Sequence, residues 1–154
     1  MNGVLVKFLR LAAGAVMPAY AREGDAGMDV CAVEEVSIAP GERRLVRTGW
    51  AMELSPGTEA QVRPRSGLAF KHGVTVLNAP GTIDSGYRGE ICVLLVNLGD
   101  STFRITPGMR IAQLVIAPVL AVRAVEADGL SGSERGGGGF GSTGTQPISN
   151  HKQE

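Results

Sequence analysis

The thirteen residues from Asn78 to Glu90 carry the most reactive mixture of side chains in this sequence. They include a carboxylate (Asp84), an aromatic hydroxyl (Tyr87) and a guanidinium (Arg88), separated by glycines. Glycine lets the backbone approach a ligand closely and adopt positive φ. The segment therefore predicts a loop that grips a small flat molecule with backbone groups while one acid is directed at it. An ordinary surface loop rich in turn-forming residues is the alternative.

A second segment has the composition of an anion-binding turn. Residues Pro64–Ala69 follow a predicted strand and open a helical turn. A turn there would direct backbone N–H groups outward, and Arg65 and Ser66 would add a charge and a hydroxyl. The Arg-Ser-Gly sequence is also common in loops without a ligand.

Gln113 is a polar residue in an apolar, alternating stretch. In Arg110–Val115 it shares a face with Ile111 and Val115. A polar group on such a face needs a hydrogen-bond partner. Either a backbone group or a phosphate of a ligand satisfies that need.

Two carboxylates close to a glycine are candidates for a magnesium site. Asp25 and Asp29 flank Gly27, and Mg²⁺ binds carboxylates directly or through water, commonly together with substrate phosphates. Turn-forming aspartates at the start of a strand are the alternative. The sequence contains no zinc-type spacing, P-loop, Rossmann fingerprint or evident Ser-His-Asp set.

The elements that must position these groups are predicted to be β-strands. Short apolar runs alternate with turn signals such as Pro40-Gly41 and Pro107-Gly108, a spacing typical of an all-β sandwich, jelly roll or closed barrel. Only Ser66–His72 favours a short helix. The predicted strands are Leu5–Arg10, Met28–Val33, Glu35–Ile38, Arg43–Arg47, Ala51–Leu54, Thr58–Pro64, Gly73–Leu77, Glu90–Leu98, Thr102–Ile105 and Ile111–Val122.

The reactive segment lies between two of these strands. Val74–Leu77 and Ile91–Val96 are apolar and β-branched, and two such runs joined by a Gly-rich stretch predict a hairpin. Residues 78–90 are then the loop of that hairpin.

The composition changes at about Ser131, which predicts a β-barrel domain at residues 1–130 and a flexible C-terminal arm at 131–154. The arm is rich in glycine and polar residues and cannot build a core. Phe140 is unusual for a simple linker, and Arg135, Ser142 and Thr143 are suitable phosphate ligands. The arm is therefore predicted to act as a lid that orders on a ligand, with a disordered terminus as the alternative.

The overall charge argues against a nucleic-acid partner, and the length of the apolar stretches argues against a membrane partner. Lys+Arg and Asp+Glu each number 15, so the net charge is zero, whereas a nonspecific nucleic-acid binder is usually basic. Any anion site must therefore be local. No apolar stretch reaches the roughly 18 residues that a membrane helix needs.

The cysteines and the N-terminus favour a cytoplasmic location. Cys31 and Cys92 are far apart and have no metal-type spacing. A disulfide stays open on the sequence, but two free thiols in a reducing cytosol are favoured. Gly14 and Pro18 interrupt the N-terminal apolar run, which favours a strand over a secretory signal.

Taken in order, five segments of the chain resemble the five motifs of the homotrimeric deoxyuridine triphosphate nucleotidohydrolases, the dUTPases. Each motif alone is moderately specific, and their order over most of the chain makes the resemblance specific. The segments are Asp25–Asp29, Pro64–Ala69, Gly81–Glu90, Arg110–Val115 and Arg135–Gly144.

The resemblance implies a jelly-roll-like β-barrel with a glycine-rich mobile C-terminal tail, assembled as a homotrimer. Each active site of that family draws on three subunits: one supplies the Arg65 and Gln113 blocks, a second the uracil hairpin, and a third the tail. The implied reaction is hydrolysis of dUTP at the α-phosphorus to dUMP and pyrophosphate with Mg²⁺. It supplies dUMP for dTMP synthesis and keeps uracil out of DNA.

The resemblance also implies a role for each site residue. Asp84 activates the attacking water, Tyr87 stacks on the deoxyribose, and Asp29 acts through water on Mg²⁺ carried by the substrate phosphates, with no direct protein ligand. The uracil ring is implied to contact Asn78, Gly81, Thr82, Ile83 and the backbone near Cys92. The phosphates are implied to contact Arg65, Ser66, Gly67 and Gln113. The arm is implied to contribute Arg135, Ser142 and Thr143 at the γ-phosphate end and Phe140 over the base, with Gly141 as a further substrate-binding residue.

Two other functions are weighed against this one. A dCTP deaminase of the same superfamily needs a glutamate acid/base in the base pocket, and Glu90 is the nearby candidate. A noncatalytic nucleotide-binding β-barrel module would bind nucleotides or protein partners and release no pyrophosphate.

Overall fold

The computed structural model describes residues 4–146, so residues 147–154 of the predicted arm lie outside the described residues. Within that range the chain forms ten strands and one short helix, and every strand pair is antiparallel. The bounds are β1 Lys7–Arg10, β2 Met28–Cys31, β3 Val36–Ile38, β4 Arg43–Glu53, β5 Thr58–Arg63, α1 Ser66–His72, β6 Val74–Val76, β7 Gly81–Asp84, β8 Glu90–Asn97, β9 Phe103–Ile105 and β10 Arg110–Pro118.

The strands form two four-stranded sheets and one two-stranded sheet. The first has the order β1-β4-β8-β6, the second β2-β10-β5-β7, and β3 pairs with β9. Side chains of both large sheets, such as Val93 and Leu95 from β8 and Val62 and Leu114 from β5 and β10, belong to one apolar core. Burying a branched side chain of this kind contributes about 1.5–3 kcal/mol. The predicted all-β, jelly-roll-like class is confirmed.

Strand β4 is longer than the sequence predicts. Arg43–Arg47 and Ala51–Leu54 were predicted as two strands, but β4 runs through both. The pairing with β8 is irregular between Arg47 and Ala51, where Gly49 has φ of 76°. A Cβ on Gly49 would lie 2.7 Å from Cβ of Ala15, so only glycine fits. The prediction was wrong because a bulge resembles a turn in sequence.

The predicted hairpin loop contains a strand. Strands β6 and β8 pair as expected, with Val76 opposite Leu95. Residues Gly81–Asp84, however, form β7 and pair with β5 in the other sheet. The chain therefore leaves the first sheet after β6, adds a strand to the second, and returns as β8. Gly81 and Asp84, at the two ends of this short strand, are residue types that are depleted in strands, and they conceal its β-character.

Strand β10 differs from its prediction at both ends. Its pairing with β2 is irregular between Arg110 and Ala112, so Ile111 and Leu114 are both buried and strict alternation fails. The strand ends at Pro118 rather than Val122. Pro118 is opposite Thr58, the first residue of β5, so β5 has no further residue with which β10 could pair.

The chain divides into two units, Met1–Ala121 and Val122–Glu154. The first contains all the strands described above. In the described part of the second unit, residues 134–144 form successive turns, for example from Gly136 N to Ser133 O (3.1 Å) and from Ser142 N to Gly139 O (3.1 Å). The boundary predicted between residues 130 and 131 stays a prediction. No helix in the described range has the length and apolar character needed to cross a membrane.

Asn97 at the end of β8 makes a first prediction. Its side chain is fully buried and donates to the carbonyls of Ile38 and Ser101 (both 2.8 Å), and its Oδ1 accepts from Gly99 N (2.9 Å). We expect Asn97→Ala to lower the free energy of unfolding by about 2–4 kcal/mol, because three backbone groups, one of them fully buried, lose their partner. Urea unfolding at constant protein concentration measures the change.

The neighbouring residue provides the matched control. Leu98 is 70% exposed, so Leu98→Ala should change the free energy of unfolding by less than about 0.5 kcal/mol. Equal stability of the Asn97→Ala variant and the unsubstituted chain would show that these hydrogen bonds contribute nothing.

Candidate active site

The first candidate site is a pocket of about 300 Å³ that we call the hairpin pocket. It lies where β7, β8 and the turn between them meet the side of β4. Its lining residues are Leu45, Thr82, Ile83, Asp84, Tyr87, Glu90, Ile91 and Cys92. Five of the residues predicted for the base and the chemistry therefore line one cavity: Thr82, Ile83, Asp84, Tyr87 and Cys92.

Backbone groups border this pocket as well as side chains. Strand β7 is the outermost strand of its sheet, and β6 covers β8 only from Leu95 to Asn97. Within the described residues, one edge of β7 and one edge of Ile91–Val93 therefore have no neighbouring strand. Unpaired strand edges present N–H donors and C=O acceptors, and here both edges belong to elements that line the same cavity.

Asp84 is the last residue of β7, opposite Glu59 on β5. Its side chain is exposed and borders the hairpin pocket. The backbone turns at once after it, since Tyr87 N donates to Asp84 O (3.0 Å). The turn brings an acid and an aromatic ring to the same pocket although two residues separate them in sequence.

Tyr87 is held by its hydroxyl and by a glycine. The hydroxyl donates to the backbone carbonyl of Glu90 (3.1 Å). The ring lies directly against Gly89, where an added Cβ would overlap the phenol. A side chain at position 89 and the observed Tyr87 ring therefore exclude each other.

The carboxylate of Glu90 faces the irregular part of β4 between Arg47 and Ala51, which we call the β4 bulge. It accepts from Arg47 Nε (3.0 Å) and from Gly49 N (2.8 Å). The hydrogen bond to Glu90 raises the pKa of the Arg47 guanidinium above its ordinary value, and the charge of Glu90 acts in the same direction. Buried Thr48, also in the bulge, donates to Ile91 O (2.6 Å). The bulge thus anchors the start of β8, on which the hairpin pocket is built.

Two residues predicted for the base lie beside the pocket rather than in its lining. Gly81 is buried at the start of β7. The Asn78 side chain lies against it, since a Cβ on Gly81 would be 3.1 Å from Asn78 Nδ2. These two residues support the strand that carries Thr82 and Asp84.

A second cavity of about 290 Å³, which we call the polar pocket, has a mainly polar lining. It is lined by Asp25, Ala26, Gly27, Asp29, Arg65, Ser66, Gly67 and Gln113. All four residues predicted for the phosphates are among them. The first N–H groups of a helix have no acceptor within it, so the backbone of Ser66 and Gly67, at the start of α1, adds donors to this pocket.

The side chain of Gln113 is hydrogen-bonded to a backbone carbonyl. Its Nε2 donates to Pro64 O (2.9 Å), which leaves the amide oxygen beside Gly27. A Cβ on Gly27 would overlap that oxygen. Of the two partners considered for Gln113, the structure contains the backbone group, and the same contact keeps the side chain at the pocket.

The carboxylates of the polar pocket do not form a dedicated metal site. Among residues 4–146, no group of three His, Cys, Asp or Glu side chains is arranged to hold a metal ion. Asp29 pairs with Arg65 (3.0 Å) and Arg110 (2.9 Å), and Asp25 accepts from Arg22 N (2.8 Å). This donor set fits a divalent cation that arrives on substrate phosphates and meets the protein through water.

The hairpin pocket and the polar pocket have no lining residue in common. The first offers strand edges, an acid and an aromatic ring, and the second offers a guanidinium, hydroxyl and amide groups. A ligand with a flat polar ring and a polyanionic end would need both kinds of surface.

The arm residues belong to the second unit. Arg135 Nε donates to Gly138 O (2.8 Å), and Phe140 is fully exposed with φ of 49°. Gly141, Ser142 and Thr143 continue the turns and are exposed. The roles predicted for these residues stay predictions.

Both cysteines are free thiols. Burial raises the pKa of Cys31, and the negative charge of Asp29 raises it further. Burial likewise raises the pKa of Cys92, with a second contribution from the negative charge of Glu90. Neither thiol is therefore activated as a nucleophile.

Three further side chains around these pockets were not predicted from the sequence. Leu45 lines the hairpin pocket from β4, Arg47 holds Glu90, and Arg110 holds Asp29. Leu45 and Arg47 come from a strand distant in sequence, and no local pattern marks them. Arg110 was visible within a motif but received no role, since its contact with Asp29 depends on the pairing of β10 with β2.

Comparison with known proteins gives a consistent result. Residues 13–144 match the family model described as dUTPase. The deoxyuridine 5'-triphosphate nucleotidohydrolase of Gloeothece citriformis is 57% identical over 139 residues, covering 90% of this chain and 96% of that protein.

Solved structures agree. A mutant dUTPase of Staphylococcus bacteriophage 80alpha with dUpNHpp is 27% identical with a TM-score of 0.87, covering 94% of this chain and 100% of that one. The dUTPase of phage phi11 of S. aureus, described with the coordination of a structural Mg(II) ion, shares the fold at 23% identity. Its TM-score is 0.78, and the match covers 83% of this chain and 99% of that one.

The raised thiol pKa values lead to a second prediction. Because a raised pKa keeps the thiol protonated to higher pH, we expect Cys92 to react with iodoacetamide more slowly than a small-molecule thiol at neutral pH. The rate should increase as the pH rises through the raised pKa. Cys31, which is 7% exposed, should react more slowly still. Peptide mass spectrometry with Cys31→Ser and Cys92→Ser as controls assigns each rate; rapid labelling at neutral pH would contradict the prediction.

Proposed function

The chain belongs to the dUTPase family and is a dUTP diphosphatase, and we propose that it produces dUMP and pyrophosphate by water attack on the α-phosphorus. The observation that carries this assignment of roles is the hairpin pocket, where Asp84, Tyr87 and two strand edges border one cavity. The polar pocket with Arg65 and Gln113 supplies a complementary surface for phosphates.

Recognition of uracil is assigned to the edges of β7 and β8. Backbone N–H and C=O groups there offer the donors and acceptors that the uracil edge requires. Cytosine reverses the hydrogen-bonding character at one edge and would leave buried groups unpaired, a large penalty. The thymine methyl group needs space that closely packed backbone denies. Asn78 and Gly81 contribute by supporting β7.

Recognition of deoxyribose is assigned to Tyr87. Its ring is held against Gly89 and its hydroxyl by the Glu90 carbonyl, so the ring has little freedom to move aside. A sugar stacked on this ring leaves no space for a 2′-hydroxyl. The same ring can therefore select against UTP.

Catalysis is assigned to Asp84 as the group that orients and deprotonates the attacking water. Phosphoryl transfer needs mainly positioning and charge neutralisation from the protein. Arg65, Ser66, Gly67 and Gln113 neutralise and hold the phosphates while pyrophosphate departs. When bound to the substrate phosphates, Mg²⁺ supplies additional neutralisation of negative charge, and Asp29 is the residue that would meet its water shell.

We extend the proposal to a homotrimer with shared active sites. The base and phosphate surfaces of one chain are two cavities with separate linings, so assembly of the complete site from several copies is consistent with the geometry. Large apolar side chains such as Leu9 and Leu45 are exposed on the strands of the first unit, and subunit contacts would cover such surfaces.

The arm and the location complete the proposal. Arg135, Ser142 and Thr143 have groups that bind phosphate, Phe140 has a ring that can cover a base, and Gly141 gives the backbone freedom between them. We assign them to the closing of the site on residue type and motif order. A cytoplasmic location is supported by the two free thiols, which suit a reducing compartment.

The geometry gives no support to a deaminase. Its acid/base candidate, Glu90, already accepts two hydrogen bonds from Arg47 and Gly49 on the β4 side. A carboxylate held in this way is a structural anchor. A noncatalytic binding module would not require the exposed Asp84 at the pocket.

Pyrophosphate release with Mg²⁺ and each deoxynucleoside triphosphate, and with UTP, tests the function. We expect strong preference for dUTP, because the base and sugar contacts each reject one class of analogue. Comparable rates with dTTP or UTP would remove the specificity argument, and ammonia release from dCTP would support the deaminase.

Asp84→Asn supplies the catalytic control for this assay. The amide keeps the size of the side chain but cannot accept a proton, so the variant should bind nucleotide while losing at least about 100-fold in kcat. Activity close to that of the unsubstituted chain would remove Asp84 from the mechanism.

The two glycines around Tyr87 form a matched pair for a further prediction. A Cβ at Gly89 overlaps the Tyr87 ring, whereas a Cβ at Gly86 meets nothing within 4 Å. We expect Gly89→Ala to lower kcat/KM for dUTP roughly tenfold or more, equivalent to about 1.4 kcal/mol of transition-state stabilisation. Gly86→Ala should stay within about twofold. Equal effects of the two substitutions would show that the packing of Tyr87 on Gly89 is unimportant.

A further inference from the structure

Asp29 lies between two guanidinium groups at the polar pocket. Its Oδ1 is 3.0 Å from Nε of Arg65, and its Oδ2 is 2.9 Å from a terminal nitrogen of Arg110. The Asp29 side chain is 19% exposed, less than either of its partners. Ionic contacts of a partly enclosed carboxylate are screened less by solvent than those of an exposed pair.

The Arg65 side chain also contacts the backbone of Arg110 directly. A terminal nitrogen of Arg65 donates to the backbone carbonyl of Arg110 (3.1 Å). The Arg65 guanidinium is therefore held at two points, one on Asp29 and one on the start of β10. Both points depend on residue 110, the first through its side chain and the second through its backbone.

The Arg110 side chain lies outside the polar pocket, across Asp29 from Arg65. The lining of the polar pocket includes Asp29 and Arg65 but not Arg110. Arg110 lines an adjacent depression of about 180 Å³ together with Tyr20 and Cys31. An influence of the Arg110 side chain on a ligand in the polar pocket would therefore pass through Asp29.

We propose that Arg110 is a positioning residue for phosphate recognition, acting through Asp29 on Arg65. The proposal deepens the proposed function and rests on it. An isolated Asp29–Arg65 pair has no net charge, whereas the three side chains together carry one positive charge. Arg110 thus neutralises Asp29, leaves the charge of Arg65 available to a triphosphate, and fixes the Arg65 guanidinium.

Steady-state pyrophosphate release by the full-length chain gives the first test. We expect Arg110→Ala to raise KM for dUTP roughly tenfold with kcat changed less than about twofold, since binding of the phosphates weakens. Arg110→Lys should recover part of the loss because it restores the charge. Arg104→Ala is the matched control: Arg104 is an exposed cation paired with Glu35 on another sheet, and its removal should leave both constants unchanged.

A double-mutant cycle tests the route of action. If Arg110 works through Arg65, adding Arg110→Ala to Arg65→Ala should change KM less than about twofold further. The full tenfold effect in the Arg65→Ala background would overturn the proposal, because Arg110 would then act on the substrate independently. An unchanged KM in Arg110→Ala alone would also overturn it.

Calorimetry separates this proposal from the proposed function. Arg110→Ala should weaken binding of the nonhydrolysable analogue dUpNHpp, with no change in binding of deoxyuridine, which carries no phosphate. Equal weakening of both ligands, or a lower unfolding temperature that accounts for the loss, would indicate a merely structural role and overturn the proposal. Absence of pyrophosphate release by the unsubstituted chain would refute the proposed function, and the binding comparison would still decide the role of Arg110.

Discussion

The candidate site depends on one topological constraint: β7 and β8 follow each other in sequence but belong to different sheets. Strand β7 adds to β5 at the end of one sheet, and β8 lies between β4 and β6 in the other. Two consecutive strands that paired with each other would use their facing edges for hydrogen bonds. Because these strands diverge, β7 and the Ile91–Val93 part of β8 each keep an edge that no described strand covers, and the turn between them brings Asp84 and Tyr87 to the opening.

The β4 bulge stabilises this open arrangement from behind. Gly49, at positive φ, packs closely on Ala15, and its N–H meets the carboxylate of Glu90. Arg47 binds the same carboxylate, and Thr48 holds the next backbone carbonyl. A glutamate in a base pocket is a candidate acid on sequence grounds. In this structure the hydrogen bonds of Glu90 to Arg47 and Gly49 instead fix the start of β8, the strand that forms one wall of the pocket.

The electrostatic design is local rather than global. Positive and negative side chains balance over the whole sequence, so long-range attraction of a polyanion is weak. The polar pocket instead concentrates Arg65, helix N–H groups and Gln113 around Asp29, whose own charge is offset by Arg110. A neutral chain can thereby concentrate phosphate-binding groups at one place.

The sequence by itself determined the all-β class, the positions of most strands and the helix at Ser66–His72, because alternation and turn residues are local properties. The order of five motifs also identified the family and pointed to most of the residues that line the two pockets. Only the tertiary structure decided that β7 is a strand, since its partner β5 is remote in sequence. It likewise decided the contacts of Arg47 and Arg110, because the bulge and the register that create them arise from packing between distant segments.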